Sequence, residues 1–317
     1  MKKEILRTIK YFNFFDYSPT IDEVYTFLPI RTTKKNLLSW MENLVKTKKL
    51  IKSRSLHLSL CYGRIKMVNL YTLPPYCIFF KNKIVRTRIS QAKIKKIGFY
   101  IQLLSFFSQI KLIGLSGALA MMNAKEEDDI DLFVITAKNR LFTGRFLALL
   151  IAQAMGIRRK RHTYRQRSSR IGSRDKVCLN LFFDENSLEV PDFKKNEYVA
   201  HEILQMKPLI NKENIYERFL EANRWVFNIF PNARSNFKCQ NSNVKSSSKL
   251  KYLKFRFWIL NFICHLSFVI WIFDSGENLL KKLQLYFIRK HQTTEPITDT
   301  QLWFHPEDFE KQLPKSR

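Results

Sequence analysis

Residues 112–136 read L-I-G-L-S-G-A-L-A-M-M-N-A-K-E-E-D-D-I-D-L-F-V-I-T, and this stretch decides the fold. Its first apolar run ends in Ser116 and Gly117, a helix-forming stretch follows at 118–123, and an acidic turn leads to a second apolar run beginning at Asp129. Because successive side chains of a strand point to opposite faces, Asp129 and Asp131 share one face. The pattern predicts a strand, a glycine turn, a short helix and a strand that presents two carboxylates side by side.

Carboxylates placed in this way suit hard divalent cations such as Mg²⁺. Two such ions, roughly 3.5–4 Å apart, neutralise a nucleoside triphosphate and hold its attacking and leaving oxygens in line. A glycine before a helix lets the backbone approach phosphates, and the free N–H groups there attract anions. We therefore expect an NTP and two Mg²⁺ ions, with Asp129 and Asp131 catalytic and metal-binding and with Ser116, Gly117 and Ala118 on the triphosphate. Asp-x-Asp alone would indicate little, since such pairs are often solvated turn residues.

The order and spacing of Gly117-Ala118 and Asp129-Ile130-Asp131 resemble the nucleotidyltransferase superfamily that includes DNA polymerase beta. The longer run from Ser116 to Leu141 is similar to predicted bacterial nucleotidyltransferases of unassigned substrate. The resemblance extends to four further stretches, V-C-L-N-L at 177–181, A-H-E-I-L-Q-M-K-P-L at 200–209, R-F-L-E-A-N at 218–223 and F-H-P-E-D at 304–308. It implies transfer of a nucleoside monophosphate to a hydroxyl group with release of pyrophosphate.

Two positions depart from the superfamily pattern. The second small residue of its signature, commonly Ser, is Ala118, which removes a hydroxyl contact to phosphate. The resemblance places a third metal carboxylate on a later strand, and the candidate strand at 177–183 carries Asn180, a poorer Mg²⁺ ligand, at its middle. Asp184 shares the face of Asn180 but lies roughly 13 Å further along the strand.

The charge of the chain is extreme. Among 317 residues, 55 are Lys or Arg and 27 are Asp or Glu, so the formal net charge is +28. Phosphate-rich partners are expected, whether nucleotide, RNA, DNA or an anionic membrane surface. An alternative is that AT-rich coding bias inflates the lysine content.

The cysteine pattern and the first residues bear on the cellular compartment. Five scattered cysteines without a C-x-x-C pair argue against a disulfide framework and against a zinc site. Charges interrupt the apolar pattern of the first dozen residues, so we expect no secretory signal. A reducing cytoplasm fits these features best.

Residues 1–75 are predicted to form a separate winged helix-turn-helix domain. Helices are expected around Ile9, after an N-cap at Thr20 and after Thr32 or Thr33, with Leu37, Leu38, Met41, Leu44 and Val45 as the buried stripe of the third. Strands follow at 50–60 and 65–73. Such a domain binds nucleic acid through its third helix or serves protein contacts only, and both interpretations stay open.

Residues 84–190 are predicted to form the nucleotidyltransferase domain. One helix is expected at 85–110, with Lys93, Lys95 and Lys96 on its solvent side, and another from Lys138 to Met155, ended by Gly156. Arg140 and Arg145 are candidates for holding the triphosphate, against the alternative that they are merely solvated. The basic run at 157–174 is either a clamp for a nucleotide or RNA backbone or a solvated insertion.

The rest of the chain is predicted to be mostly helical. We expect a helical extension at 191–231, with His201 as a structural residue, a linker at 232–249, and a helical C-terminal region with a polar tail at 250–317. Residues 257–273 are nearly continuous in apolar character but short for a membrane span, so a buried or surface-docked helix is favoured over membrane association.

Together these features predict an α+β protein with a mixed central sheet and flanking helices. The expected function is metal-dependent nucleotidyl transfer from an NTP. The alternative is a catalytically degenerate nucleotidyltransferase scaffold that acts as a nucleic-acid-binding or regulatory module, as Ala118, Asn180 and the net charge would suit.

Overall fold

The structure is a computed structural model that describes residues 1–59, 64–159, 174–234, 276–290 and 296–304. These residues form a mixed α+β fold with one two-stranded and one five-stranded sheet, which confirms the prediction of an α+β protein with a mixed sheet. Most of the basic run, at 160–173, lies outside the described residues, as do the apolar stretch 257–273 and most of the predicted linker and tail.

The N-terminal unit consists of three helices and a hairpin. Its elements are α1 (Lys2–Phe14), α2 (Ile21–Thr26), α3 (Lys34–Lys46), β1 (Ile51–Ser59) and β2 (Arg64–Thr72), and the two strands pair antiparallel. Thr20 and Glu23 form a capping box, which accounts for the start of α2. The core contains Leu37, Met41 and Leu44 as predicted, but Leu38 is exposed because it lies to one side of this stripe on α3.

A helical connection links this unit to the central sheet. After a 3₁₀ turn at Pro74–Tyr76, helix α4 spans Ile78–Lys96 and α5 spans Gly98–Ser105, so the single helix predicted at 85–110 is wrong. The helices are separated at Ile97, and the second ends before the sheet begins. Lys93 is buried rather than solvated, because its ammonium donates to the carbonyl oxygens of Glu126 (2.9 Å) and Asp128 (2.6 Å) and pairs with Asp175.

The central sheet contains five strands in the order β6-β3-β4-β5-β7. They span Ile110–Leu115 (β3), Ile130–Thr136 (β4), Val177–Asp184 (β5), Lys207–Asn211 (β6) and Gln301–Trp303 (β7). Strands β4 and β5 are parallel, and the other neighbouring pairs are antiparallel. The connecting helices are α6 (Gly117–Ala120), α7 (Leu141–Ala154), α8 (Glu197–Gln205), α9 (Ile215–Ala222), α10 (Val226–Ile229) and α11 (Glu277–Arg289).

The two edge strands correct the prediction that the chain after residue 190 is helical apart from a linker and a polar tail. Residues 207–211 leave α8 and pair with β3, since Pro208 lacks the N–H that a continuing helix needs. Residues 301–303, in the predicted polar tail, pair with β5 and bury Leu302 and Trp303. The predicted helical extension and C-terminal region therefore both contribute to the central sheet.

Helices cover both faces of the sheet. One face packs against α5, α7 and α11 through a core that includes Ile113, Val134 and Leu147. The other packs against α8 and α9 through a core that includes Phe133 and Ile135, and Phe12 and Phe27 of the N-terminal unit belong to this second core. Because β4 alternates, Asp131 lies on the face of Phe133 and Ile135 and so points toward α8 and α1.

The end of this core is fastened to the N-terminal unit by Asn232, at a position that the sequence predicted to begin a linker. Its side-chain amide donates to the carbonyl oxygens of Leu28 (3.2 Å) and Ile30 (2.8 Å), and its carbonyl accepts from the backbone N–H of Thr32 (3.0 Å). The residue is buried, so this position is a contact point rather than a linker. No helix within the described residues has the length and apolar character needed to cross a membrane.

Candidate metal and nucleotide site

The two acids stand together where β4 begins, as the sequence predicted. Asp129 immediately precedes the strand and Asp131 is its second residue. The carbonyl oxygen of Asp131 accepts from the backbone N–H of Ser116 (3.2 Å), which ties the acid strand to the turn after β3. One ligand atom from each of Asp129, Asp131 and Cys178 lies within 4.8 Å of the others.

The glycine turn lies directly against Asp131. Gly117 adopts a φ of +58°, a left-handed conformation that side chains disfavour, and a Cβ built there would lie 3.3 Å from Asp131 Oδ2. Ser116 caps α6 through extended backbone, and Ala118 is exposed on the first turn. The helix is shorter than the predicted 118–123, because Met122 is left-handed and turns the chain.

A third carboxylate, from Glu202 on α8, reaches the same turn. The backbone N–H of Gly117 donates to Glu202 Oε2 at 3.3 Å. Glu202 lies in A-H-E-I-L-Q-M-K-P-L at 200–209, a stretch whose only indication of function is its resemblance to the nucleotidyltransferases. No periodicity rule connects position 202 to position 117, so sequence reasoning missed this group.

Burial, together with the closeness of the carboxylates, governs the electrostatics of the site. Burial, reinforced by the charges of Asp129 and Glu202, raises the pKa of Asp131 to about 8, although Arg159 acts in the opposite direction. Burial also raises the pKa of Glu202 to about 7, against the stabilising hydrogen bond from Gly117. The raised pKa values mean that ionising these carboxyl groups is costly in this poorly solvated place, and a bound divalent cation would offset that cost.

The donor set favours a hard cation over a thiophilic one. Burial and the neighbouring Asp131 and Asp129 raise the pKa of the Cys178 thiol, which keeps it protonated at neutral pH. Its sulfur donates to Asn180 Oδ1 at 2.6 Å. Metals bind cysteine as thiolate, whereas carboxylate oxygens suit Mg²⁺. The residues present therefore fit Mg²⁺, with oxygen ligands from the acids.

Two nitrogen donors flank the acids. Asn180 Nδ2 donates to Asp131 Oδ1 at 2.7 Å, so Asn180 reaches the site but presents its amide nitrogen to the acid. Arg159, at the start of the predicted basic run, forms an ion pair with Asp129 and contacts Cys178 Sγ at 3.2 Å. It is held there because residues 157–159 bond to the backbone of Val177, where β5 begins.

The predicted arginines of α7 do not join the acids. The far end of β4, at Thr136, lies five residues and roughly 16 Å beyond Asp131. Arg140 follows this end, and its backbone N–H donates to Asp184 at 3.3 Å. Arg145 donates to Gln284 at 2.6 Å and lies over the ring of Phe304. Arg140 thus follows the end of β4 remote from the acids, so the structure does not bring the predicted triphosphate contact at Arg140 to them.

A cavity of about 540 Å³ opens in front of the acids. Its lining includes Gly117, Asp131 and Glu202, together with a wall of aromatic side chains from the end of α1 and from α8, including Tyr11 and Tyr198. Binding sites for small molecules commonly have this size and combine apolar walls with a few convergent polar groups.

His201 borders this wall but does not act as a base. Its ring stacks between Tyr11, at 3.9 Å between centroids, and Phe27, at 4.4 Å. Burial lowers its pKa well below the ordinary value, so the ring stays neutral. The residue is structural, as the sequence predicted.

Comparison of the chain with known protein families, with characterised proteins and with solved structures gives no match.

Proposed function

We propose that this protein is a metal-dependent nucleotidyltransferase, which transfers a nucleoside monophosphate from an NTP to a hydroxyl group of an acceptor. One observation carries the proposal, namely that Asp129 and Asp131 stand over the left-handed Gly117 turn, where a Cβ would lie 3.3 Å from Asp131 Oδ2. The order strand, glycine turn, helix and acid strand supports a nucleotidyltransferase-like core. The motif resemblance described above supports the same assignment.

The residues divide the work of this reaction by position. Asp129 and Asp131 would hold Mg²⁺, which when bound neutralises the triphosphate and activates the attacking hydroxyl. Glu202 supplies a third carboxylate at the Gly117 turn. Asn180, the candidate position for the third metal carboxylate on β5, offers only an amide. Gly117 and Ala118 line the cavity from which the triphosphate would approach, and the aromatic wall beside Tyr11 would exclude water.

The transfer itself is a displacement at the α-phosphorus. The acceptor oxygen forms a bond to this phosphorus, and the bond from the phosphorus to the bridging oxygen of the β-phosphate breaks. Pyrophosphate leaves with the bonding electrons, and the proton of the hydroxyl passes to a carboxylate of the site or to water.

Transfer of labelled nucleotide tests the assignment. Whole-cell extract supplies unknown acceptors, and the full chain is incubated with each α-labelled NTP and Mg²⁺. We expect Asp129→Asn with Asp131→Asn to abolish labelling, because an amide cannot replace a carboxylate toward Mg²⁺. A matched control is Asp22→Asn with Asp192→Asn, two exposed acids remote from the cavity, which should label normally. Undiminished labelling by the site variant would refute the proposal.

A second candidate function is a non-catalytic nucleotidyltransferase-like scaffold. It is favoured by one specific observation, that both acids have protein partners, Arg159 for Asp129 and Asn180 for Asp131. The N-terminal unit would then carry the function as a winged-helix domain, which its element order supports. Several exposed cations lie on or near α3 and β1 and would contact nucleic-acid phosphates, including Lys34, Lys35, Lys46, Lys48, Lys49, Lys52 and Arg54.

Calorimetry separates the two candidates. Heat from NTP binding that requires Mg²⁺ supports the enzyme. No response to any NTP, together with DNA or RNA binding that weakens steeply as salt rises, supports the scaffold.

A further inference from the structure

The C-terminal helix α11 is anchored on one side. Glu277 accepts from the backbone N–H groups of Phe142 and Thr143, both at 2.8 Å, and so caps the start of α7. Two turns further, Gln284 donates to the carbonyl oxygen of Phe142 at 2.8 Å. Leu280 and Ile288 are buried against the body of the protein. These contacts fix which face of α11 points outward.

The outward face is apolar. Leu279, Leu283 and Tyr286 are 64%, 48% and 68% exposed, and Phe287, beside Tyr286, is 58% exposed. Their spacing of four, three and one residues places them in a single stripe along the helix. Scattered exposed apolar residues are ordinary, whereas a contiguous stripe of large ones marks an interaction surface.

Cations border this stripe. Lys282, Arg289 and Lys290 are exposed on the same helix, and its single acid, Glu277, is turned toward α7. A helix with an apolar stripe, an aromatic residue and flanking cations has the composition of helices that lie in the plane of a membrane surface. Nucleic acid would match the cations but would leave the leucines without an apolar partner.

We propose that the outer face of α11 docks the protein on an anionic lipid surface. Leu279, Leu283 and Tyr286 enter the boundary between head groups and acyl chains, while Lys282 and Lys290 pair with lipid phosphates. The docking is peripheral, and it does not depend on nucleotidyl transfer.

Flotation of the full chain with lipid vesicles tests this inference. Vesicles of equal parts phosphatidylglycerol and phosphatidylcholine should carry the protein, and vesicles of phosphatidylcholine alone should carry much less. Leu279→Ser with Leu283→Ser should weaken binding to the anionic vesicles by at least about tenfold, since most of the inserted apolar surface is lost. The matched control is Leu38→Ser with Phe193→Ser, two exposed apolar residues elsewhere, which should bind as the unaltered chain does.

A charge variant keeps the test decisive if the serine variant fails to fold. Lys282→Glu with Lys290→Glu changes only exposed side chains and should abolish the preference for anionic vesicles. The inference is overturned if both α11 variants bind like the unaltered chain, which would place lipid binding elsewhere, or if no vesicle is bound. It is also overturned if the leucine variant instead converts a dimer to a monomer in sedimentation velocity, since the stripe would then join two copies of this chain.

Discussion

Because Gly117 lies against Asp131, adding a single methyl group at position 117 tests the candidate site. Gly117→Ala adds a Cβ 3.3 Å from Asp131 Oδ2, so the carboxylate must shift by a few tenths of an ångström. The variant also forces a side chain into a backbone with a φ of +58°. The first effect acts on ligand geometry and the second on stability.

The two effects have separable magnitudes. A side chain in left-handed backbone costs about 1–2 kcal/mol of folding free energy. Disturbing the orientation of a metal ligand typically costs on the order of tenfold or more in metal affinity. We therefore expect Gly117→Ala to lose about 1–2 kcal/mol in the free energy of unfolding and at least about tenfold in affinity for a divalent cation.

Gly156→Ala provides the matched control. Gly156 also has a positive φ, of +65°, but nothing lies within 4 Å of the position its Cβ would take. Guanidinium unfolding should show a similar loss of stability in both variants. Calorimetric titration with Mn²⁺, as a probe for Mg²⁺, should show weaker binding only in Gly117→Ala. Equal Mn²⁺ affinity in the two variants would show that the turn does not position Asp131 for a cation.

Three further predictions address other contacts. Glu202→Gln should weaken Mn²⁺ binding by about tenfold or more in calorimetry, whereas exposed Glu221→Gln should not, because only the first removes a carboxylate from the site. Lys83 is buried without a hydrogen-bond partner among the described residues, and burial lowers its pKa from 10.5 to about 8. The unfolded chain keeps this proton to higher pH than the folded chain, so Lys83 should contribute a gain in stability of about 3 kcal/mol between pH 8 and 10.5. In denaturant unfolding, the difference in stability between Lys83→Met and the unaltered chain should change by this amount over that range. Asn232→Ala removes three hydrogen bonds to the N-terminal unit and should lower the free energy of unfolding by about 1–3 kcal/mol, with faster cleavage in limited proteolysis.

Local signals explain what the sequence predicted correctly. The alternation around Asp129 and Asp131 and the Thr20-x-x-Glu23 cap each depend on neighbours within a few residues, and both features appear in the structure. The hairpin after α3 follows from the two strand-like runs predicted at 50–60 and 65–73. Side-chain periodicity and capping residues predict the structure correctly where neighbouring residues alone determine the backbone conformation.

The errors arise where distant residues meet. Lys93 looks solvated from helical period alone, but carbonyl groups near residue 127 and the carboxylate of Asp175 surround its ammonium. Strand β6 exists because β3 offers an unpaired edge almost a hundred residues earlier in the chain. Glu202 reaches the site only because α8 packs over the glycine turn, a contact that no spacing within α8 encodes.

The cavity in front of the acids takes its walls from two parts of the chain. Tyr11 comes from the N-terminal unit, while Tyr198 and Asp131 come from the unit built on the large sheet. A fragment beginning after the hairpin would lack one wall and would expose His201, which now lies between Tyr11 and Phe27. A ligand that contacts both walls therefore holds the N-terminal unit against the unit built on the large sheet, and its binding should raise the temperature at which the two units separate.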